Sequence, residues 1–393
     1  MIKREHYLEQ IRPFYDSNLI KIVTGIRRCG KSVLMEQIAE ELSACGKHTL
    51  ALNFETLSVS QRIADANALE NEVKQHMSTE KLYVFLDEVQ NLPDWNLACR
   101  SLRLGNVSLF VTGSNSKLLS REFTRELSGR YVSFRVRPFV WKELREYAAE
   151  LGHETTVLDY LTLGGFPQRL EHVGRPSALR FLNDLDRTIV KNDLLNRYAI
   201  RKTQVFEKLV NFVLVSNARI FSAASVQKYL AGQKIVCSVN TVMKYLSYLE
   251  EAYVITRIPQ WSTKAKRNLS FYAKLYDEDV AFNSIRQTGE RWDLTHNLEN
   301  IVYNELVWRG YELAVFNENG REIDFLAQKE GKQYLIQVAY SIADETTYQR
   351  EFALFNTLDQ SRQKIIITTD EADFSTSTVR HIPFSRFLEM DEL

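Results

Sequence analysis

The sequence is poor in the residues that staple small domains or mark disordered arms. Four cysteines, Cys29, Cys45, Cys99 and Cys237, are scattered over 393 residues with no C-x-x-C pair, which excludes a disulfide framework and a zinc ribbon and fits a reducing compartment. Seven prolines, fifteen glycines and no low-complexity tract exclude long disordered stretches. Fifty basic residues balance fifty acidic ones, so no global field draws the chain toward nucleic acid or an anionic membrane. Any such site must be a local patch. No run approaches the roughly 18 apolar residues that span a bilayer, and the opening stretch, Met1 to Gln10, is too charged for a secretory leader. The expectation is a cytoplasmic protein with no membrane segment. There is also no internal repeat with a period of about 20 to 50 residues.

What is present is a modular globular chain. Its length exceeds what one hydrophobic core organises, and about 150 residues per domain predicts two to three domains. The first informative segment is the β-branched run Leu19-Ile-Lys-Ile-Val-Thr24, which leads directly into Gly25-Ile-Arg-Arg-Cys-Gly30-Lys31-Ser32. Val33, Leu34, Ile38 and Leu42 then recur at helical spacing, so a G-x-x-x-x-G-K-S loop sits between a strand and a helix. Its glycines let backbone N–H groups, including those of Arg27, Arg28, Cys29 and Val33, curl around phosphates at the positive end of the helix. Lys31 would reach the β and γ phosphates of a nucleotide, and the Ser32 hydroxyl would sit on Mg²⁺. The side chains of Arg27 and Arg28 either add cationic character or stand as solvated loop arginines.

A second run, Lys81-Leu-Tyr-Val-Phe-Leu-Asp87-Glu88, reads as a strand buried on both faces that ends in two carboxylates. Open α/β sheets take ligands at that carboxyl edge. Asp87 would hold the magnesium shell and Glu88 would orient or deprotonate the attacking water. The competing reading has the two acids capping a helix that begins near Leu92. A third buried strand, Ser108 to Thr112, ends in Gly113-Ser114-Asn115. Six arginines follow, Arg121, Arg125, Arg130, Arg135, Arg137 and Arg145. A guanidinium neutralises charge on a transferring phosphoryl, often from a neighbouring subunit. Arg130 leads as that finger and Arg125 follows, which implies a homo-oligomer.

Taken in order, Gly25 to Ser32, Leu82 to Glu88, Thr112 to Asn115, Gly129-Arg130 and Arg137-Pro-Phe139 resemble a bacterial and archaeal group of AAA-type ATPases fused to a C-terminal domain of unknown function. Gly164-Gly-Phe-Pro167 and Glu322-Ile-Asp-Phe325 look like landmarks of the same group. The resemblance implies a sensor of the γ-phosphate at Ser114, with Asn115 second, although a plain turn fits either residue. It implies an α/β P-loop NTPase core with an AAA- or RecA-like parallel sheet over residues 1–145 and a helical connector over 146–202. A winged helix-turn-helix over 203–280 and an α/β restriction-endonuclease-like domain over 281–393 complete the expectation. It implies no substrate.

The residues themselves support the middle part. Phe206 to Asn217 reads as a helix, Ser222 can cap a second through Leu230, and Ser238 can cap a third from Val239 to Glu251. Val239, Val242, Met243, Leu246 and Leu249 share the third helix's core face. Strands at 254–260 and 269–276 flank Lys264-Ala-Lys-Arg267, the expected wing. Lys244, Lys264, Lys266 and Arg267 would touch DNA phosphates, or the surface would take a protein partner. Further on, a helix from Leu298 to Arg309, a strand from Tyr311 to Phe316, a hairpin of Glu322–Gln328 with Gln333–Tyr340 and a last strand at Lys364–Thr368 resemble a restriction-endonuclease core. Glu299 and Asp324 fall on two of its metal-binding positions. Gln337-Val338-Ala339 stands where that fold has E-x-K, so an amide replaces an acid and no lysine follows, which disfavours nuclease activity.

The function expected is Mg²⁺-dependent binding and hydrolysis of ATP, coupled to rearrangement of DNA- or protein-binding C-terminal parts. A nucleotide-gated binding module with marginal turnover is the alternative, and an ATP-dependent nuclease comes third. Nothing in the loop distinguishes ATP from GTP.

Overall fold

The computed structural model describes residues 1–113, 127, 129–261, 273–287, 291–318, 321–355, 358 and 362–393. The chain divides into two compact units, Met1–Pro138 with Glu251–Tyr253, and Phe139–Glu250 with Val254–Leu393.

The first unit is a parallel α/β sheet. After α1 (Glu5–Ile11) come β1 (Ile20–Thr24), α2 (Lys31–Ala44), β2 (His48–Asn53), α3 (Leu57–Arg62) and α4 (Ala66–His76). β3 (Leu82–Asp87), α5 (Trp95–Leu102), β4 (Val107–Gly113) and β5 (Tyr131–Arg135) complete it. Among the described residues the strands lie in the order β2-β3-β4-β1-β5, all pairings parallel. The expected parallel sheet is therefore present. Helices on both faces explain why the central strands are continuous apolar runs and why β2, on an edge, is half exposed. One face packs Ile22, Val84, Leu86, Leu109 and Val111 against Leu69 and Val73 of α4 and Trp95, Cys99 and Leu102 of α5. The helix expected near Leu92 begins at Trp95, because a short 3₁₀ turn, Val89–Asn91, intervenes.

Lys21, which strand alternation turns to the opposite face from Ile20 and Ile22, is a charged exception among the buried strand residues. It is fully buried on β1, where Nζ donates to Ser108 Oγ at 2.7 Å and to Ser17 O at 3.2 Å and lies 4.6 Å from the centre of the Phe110 ring. Burial pushes its pKa down to about 7.

The second unit opens with α6 (Trp141–Glu150), α7 (Val157–Leu163) and α8 (Arg175–Thr188), which runs into a π-helical segment, Ile189–Asn196. Next come α9 (Thr203–Val215), β6 (Arg219–Phe221), α10 (Ala223–Gly232), α11 (Val239–Glu251), β7 (Ile255–Trp261) and β8 (Ala273–Asp277). Ser222 and Ser238 accept the N–H groups of Ser225 and Thr241, capping α10 and α11 as the sequence expects. Then follow α12 (Ala281–Ser284), α13 (Leu294–Trp308), β9 (Glu312–Glu318), β10 (Arg321–Lys329), β11 (Lys332–Val338), α14 (Glu345–Ala353), β12 (Gln363–Thr368), β13 (Arg380–Pro383) and α15 (Phe384–Glu389).

Among the described residues these strands form one eight-stranded sheet in the order β13-β12-β11-β10-β9-β7-β8-β6. β7 pairs with β9 through Gln260 and Val315, so the β7–β8 pair of the middle segment and the strands of the C-terminal segment are continuous. Two expectations are corrected. Val239 is 37% exposed and not core, because it occupies the first turn of α11, ahead of the packed face of Val242, Leu246 and Leu249. The strand at Lys364–Thr368 is followed by β13, whose parallel pairing covers its outer edge. Lys264, Lys266 and Arg267 lie outside the described residues.

The landmark Gly164-Gly-Phe-Pro167 has a steric cause. The Gly165 N–H donates to Asp279 Oδ2 at 2.7 Å, and a Cβ on Gly164, whose φ is +70°, would stand 1.6 Å from Asp279 Oδ1. Substituting Gly164→Ala is therefore expected to destabilise the protein by roughly 3 kcal/mol, read as a lower thermal midpoint by circular dichroism.

A second prediction concerns Lys21. Above about pH 7 the unfolded lysine, with its ordinary value of 10.5, holds a proton that the folded one sheds, so stability should rise between about pH 7 and about pH 9. Denaturant midpoints across that window should show the rise in wild type and a flatter profile in Lys21→Met.

Candidate functional site

The loop between β1 and α2 is fixed from beneath. The Val136 N–H donates to Thr24 O at 2.8 Å, drawing the chain after β5 along the end of β1. Its carbonyl then passes so close to Gly25 that a Cβ there would lie 2.1 Å from it. Only glycine fits. The same carbonyl accepts from Cys29 Sγ at 3.3 Å, and both apolar loop residues, Ile26 and Cys29, are fully buried. Arg28 and Gly30 have positive φ, +67° and +97°. The loop thus turns back on itself before α2 starts at Lys31 with no side-chain cap on its first N–H groups, which is the arrangement that receives anions.

Lys31 is buried, its ammonium donating to Gly25 O at 3.2 Å and Ile26 O at 3.0 Å. Ser32 and Val33 follow in the first turn of α2. Arg27 leans toward Glu55 at 3.8 Å, and Arg28 is exposed.

Sequence reasoning passed over Arg4, which buttresses this loop. The residue is 2% exposed, and its guanidinium donates to Cys29 O at 2.9 Å and Arg137 O at 3.1 Å. Its backbone N–H donates to Gln37 of α2 at 3.0 Å. Nothing in a charged N-terminal segment signals such a role, because the partners are main-chain carbonyls distant in sequence.

Asp87 and Glu88 stand at the carboxyl end of β3, the same edge as the loop, with β4 between β3 and β1. Asn53 Nδ2, at the end of β2, donates to Asp87 Oδ2 at 3.0 Å, and the Thr112 hydroxyl of β4 donates to Asp87 Oδ1. The same Thr112 oxygen accepts the Glu88 N–H at 3.0 Å. Glu88 has φ +50° and accepts from the Gln90 side chain. These bonds run to neighbouring strand ends, while the N-cap position of α5 is Asp94, so the two carboxylates do not cap the following helix. Thr112 was legible only as a polar residue ending a buried strand, and Asn53, at the end of the half-exposed edge strand β2, was not singled out.

The remaining expected residues lie elsewhere. The Arg130 carbonyl accepts the Ile20 N–H at 2.9 Å, at the amino edge of the sheet and about 16 Å along β1 from its own loop. Ser114, Asn115, Arg121 and Arg125 lie outside the described residues.

In the second unit, Glu299 of α13 and Asp324 of β10 do come together, and the expectation of no cation beside them is corrected. Lys274, on β8, bridges them, with Nζ 2.9 Å from Glu299 and 2.7 Å from Asp324 and 3.2 Å from Glu322. Burial alone would lower its pKa, but the three carboxylates hold it well above the ordinary lysine value. Burial and the nearby Asp324 raise that of Glu299. Strand alternation puts Lys274 and Tyr276 on one face of β8, a signal the E-x-K spacing could not reveal.

A protein of Haemophilus influenzae described only as uncharacterized is 32% identical over 381 residues, which cover 94% of this chain and 93% of that protein. The chain belongs to that protein's family. An uncharacterized protein of Methanocaldococcus jannaschii is 29% identical over 388 residues, 90% of this chain and 83% of its own. Residues 17–145 match the AAA domain family. Residues 154–285 and 295–387 match two domains of unknown function, DUF8612 and DUF4143. Among solved structures, a Walker-type ATPase of Pyrococcus abyssi superposes with a TM-score of 0.51 at 15% identity, covering 72% of this chain and 95% of its own. The first unit therefore has the AAA-type P-loop ATPase fold, which implies nucleotide binding. No helix among the described residues is long and apolar enough to cross a membrane.

Thr112 links both carboxylate-bearing residues through one oxygen. Thr112→Val keeps its shape and strands the Glu88 N–H, so a loss of about 1–3 kcal/mol is expected on chemical denaturation.

Proposed function

We propose that this protein is a magnesium-dependent ATPase whose turnover drives a conformational change in a partner-binding second unit. The observation that carries the reading is the shared sheet edge on which the Gly25–Ser32 loop, Asp87 and Glu88 stand, two strand spacings or about 10 Å apart.

The loop N–H groups from Gly25 to Val33 and the Lys31 ammonium would hold the phosphates, Lys31 exchanging its two loop carbonyls for phosphate oxygens. Ser32 and Asp87 would hold Mg²⁺, which neutralises charge on the transferring phosphoryl. Asn53 and Thr112 keep the Asp87 carboxylate aimed, and Glu88 orients the attacking water and accepts its proton. Arg130 is too far from its own loop to serve it. That distance supports delivery to the loop of a second copy, and with it a homo-oligomer.

For the second unit the proposed partner surface is the exposed start of α11, with Lys244 exposed and 5.9 Å from the centre of the Tyr248 ring. The caps, the three helices and the β7–β8 pair support a winged-helix reading. DNA is the partner that reading favours, with a protein as the alternative. Phosphate contacts would weaken steeply between about 50 and about 200 mM salt, so a salt titration of binding separates the two.

The deciding measurement is phosphate release beside nucleotide binding. Glu88→Gln should retain ATP and lose turnover by about 100-fold or more, whereas Lys31→Ala should lose both. Normal hydrolysis by Glu88→Gln would remove that carboxylate from the mechanism.

A further inference from the structure

The restriction-endonuclease resemblance expects a divalent cation on Glu299, Asp324 and the side chain at position 337. The groups found there do not fit one. Lys274 Nζ, with a side chain 5% exposed, lies 2.9 Å from Glu299 Oε1, 2.7 Å from Asp324 Oδ1 and 3.2 Å from Glu322 Oε1. These are ammonium hydrogen-bond lengths, whereas Mg²⁺ approaches carboxylate oxygens to about 2.0–2.1 Å. An ammonium has three N–H donors; two are given to Glu299 and Asp324, and Glu322 Oε1 adds a third opposite charge at 3.2 Å.

The surrounding groups are committed as well. Glu299 Oε1 also accepts the Tyr276 hydroxyl at 2.7 Å, and Asp324 Oδ2 accepts the Val338 N–H at 2.9 Å. The Gln337 amide accepts the Asp324 N–H at 3.3 Å and donates to Glu351 at 3.0 Å. Among the described residues no group of three or more His, Cys, Asp or Glu side chains is arranged to hold a metal ion.

We infer that Lys274 is a built-in counter-cation that takes the place of a divalent ion, so that this centre is a metal-excluding structural lock and not a hydrolytic site. Glu299 and Asp324, whose side chains are 10% and 9% exposed, must be neutralised or paired. An ammonium tethered to β8 pins α13 to β10 whatever the metal concentration. One positive charge facing three carboxylates also leaves the centre unsuited to a phosphodiester, whose own charge would be repelled.

The lock is tested on the full-length, nucleotide-free chain by thermal melting with and without millimolar Mn²⁺, and by Mn²⁺ binding read from electron paramagnetic resonance. Wild type should show no Mn²⁺-dependent shift. Lys274→Ala should melt about 6 °C or more lower and recover with Mn²⁺, which enters among the freed carboxylates. Lys274→Ala with Asp324→Asn should lose that recovery. Should Lys274→Ala fail to fold, Lys274→Met combined with Glu299→Gln and Asp324→Asn removes most of the charge to be balanced and should restore folding. The inference is overturned by Mn²⁺ binding to wild type that Asp324→Asn abolishes, by an unchanged melting temperature in Lys274→Ala, by a folded Lys274→Ala that Mn²⁺ does not restabilise, or by failure of the triple variant to fold.

Discussion

The first unit depends on one close approach, the Val136 carbonyl against the α-carbon of Gly25. Val136 pairs with Thr24 as the chain leaves β5, and its oxygen occupies the space a side chain at position 25 would need. The glycine loop is therefore set into the sheet and not draped over it. Cys29 binds the same oxygen, Arg4 takes the Cys29 carbonyl, and Lys31 closes the turn through Gly25 and Ile26. A loop held at so many points is ordered before any ligand arrives, which lowers the ordering cost of binding.

Both units bury charge, and each case is resolved by specific partners. Lys21 is tolerated by a hydroxyl, a carbonyl and an aromatic face, at a cost visible in its depressed pKa. Lys274 is surrounded by opposite charge and shifts the other way. The contrast follows from whether desolvation is offset by ionic partners. Asp87, only partly buried at the end of β3, differs from both, its carboxylate held by the uncharged Asn53 and Thr112, which orient it without neutralising it. The metal-ligand role proposed for Asp87 suits that combination, since outer partners orient a ligating carboxylate.

Arg130 shows how sheet direction limits chemistry. Parallel strands gather their carboxyl ends at one edge, and a residue that opens β5 is necessarily at the other. Arg130 therefore stands at the edge opposite its own phosphate loop, which is why the catalytic role proposed for it is one between copies.

The sequence alone determined the parallel sheet of the first unit and the glycine loop, because strands buried on both faces leave unbroken apolar runs and phosphate loops demand glycine at fixed spacing. The caps at Ser222 and Ser238 were equally legible, being local hydrogen bonds between residues three apart. What only tertiary structure decided are contacts between residues far apart in the chain. Arg4 beneath the loop, Asn53 and Thr112 around Asp87, and Lys274 among Glu299, Glu322 and Asp324 have no mutual spacing to read. Lys274 reaches Glu299 and Asp324 from β8, and a one-dimensional motif has no term for a charge that arrives through space.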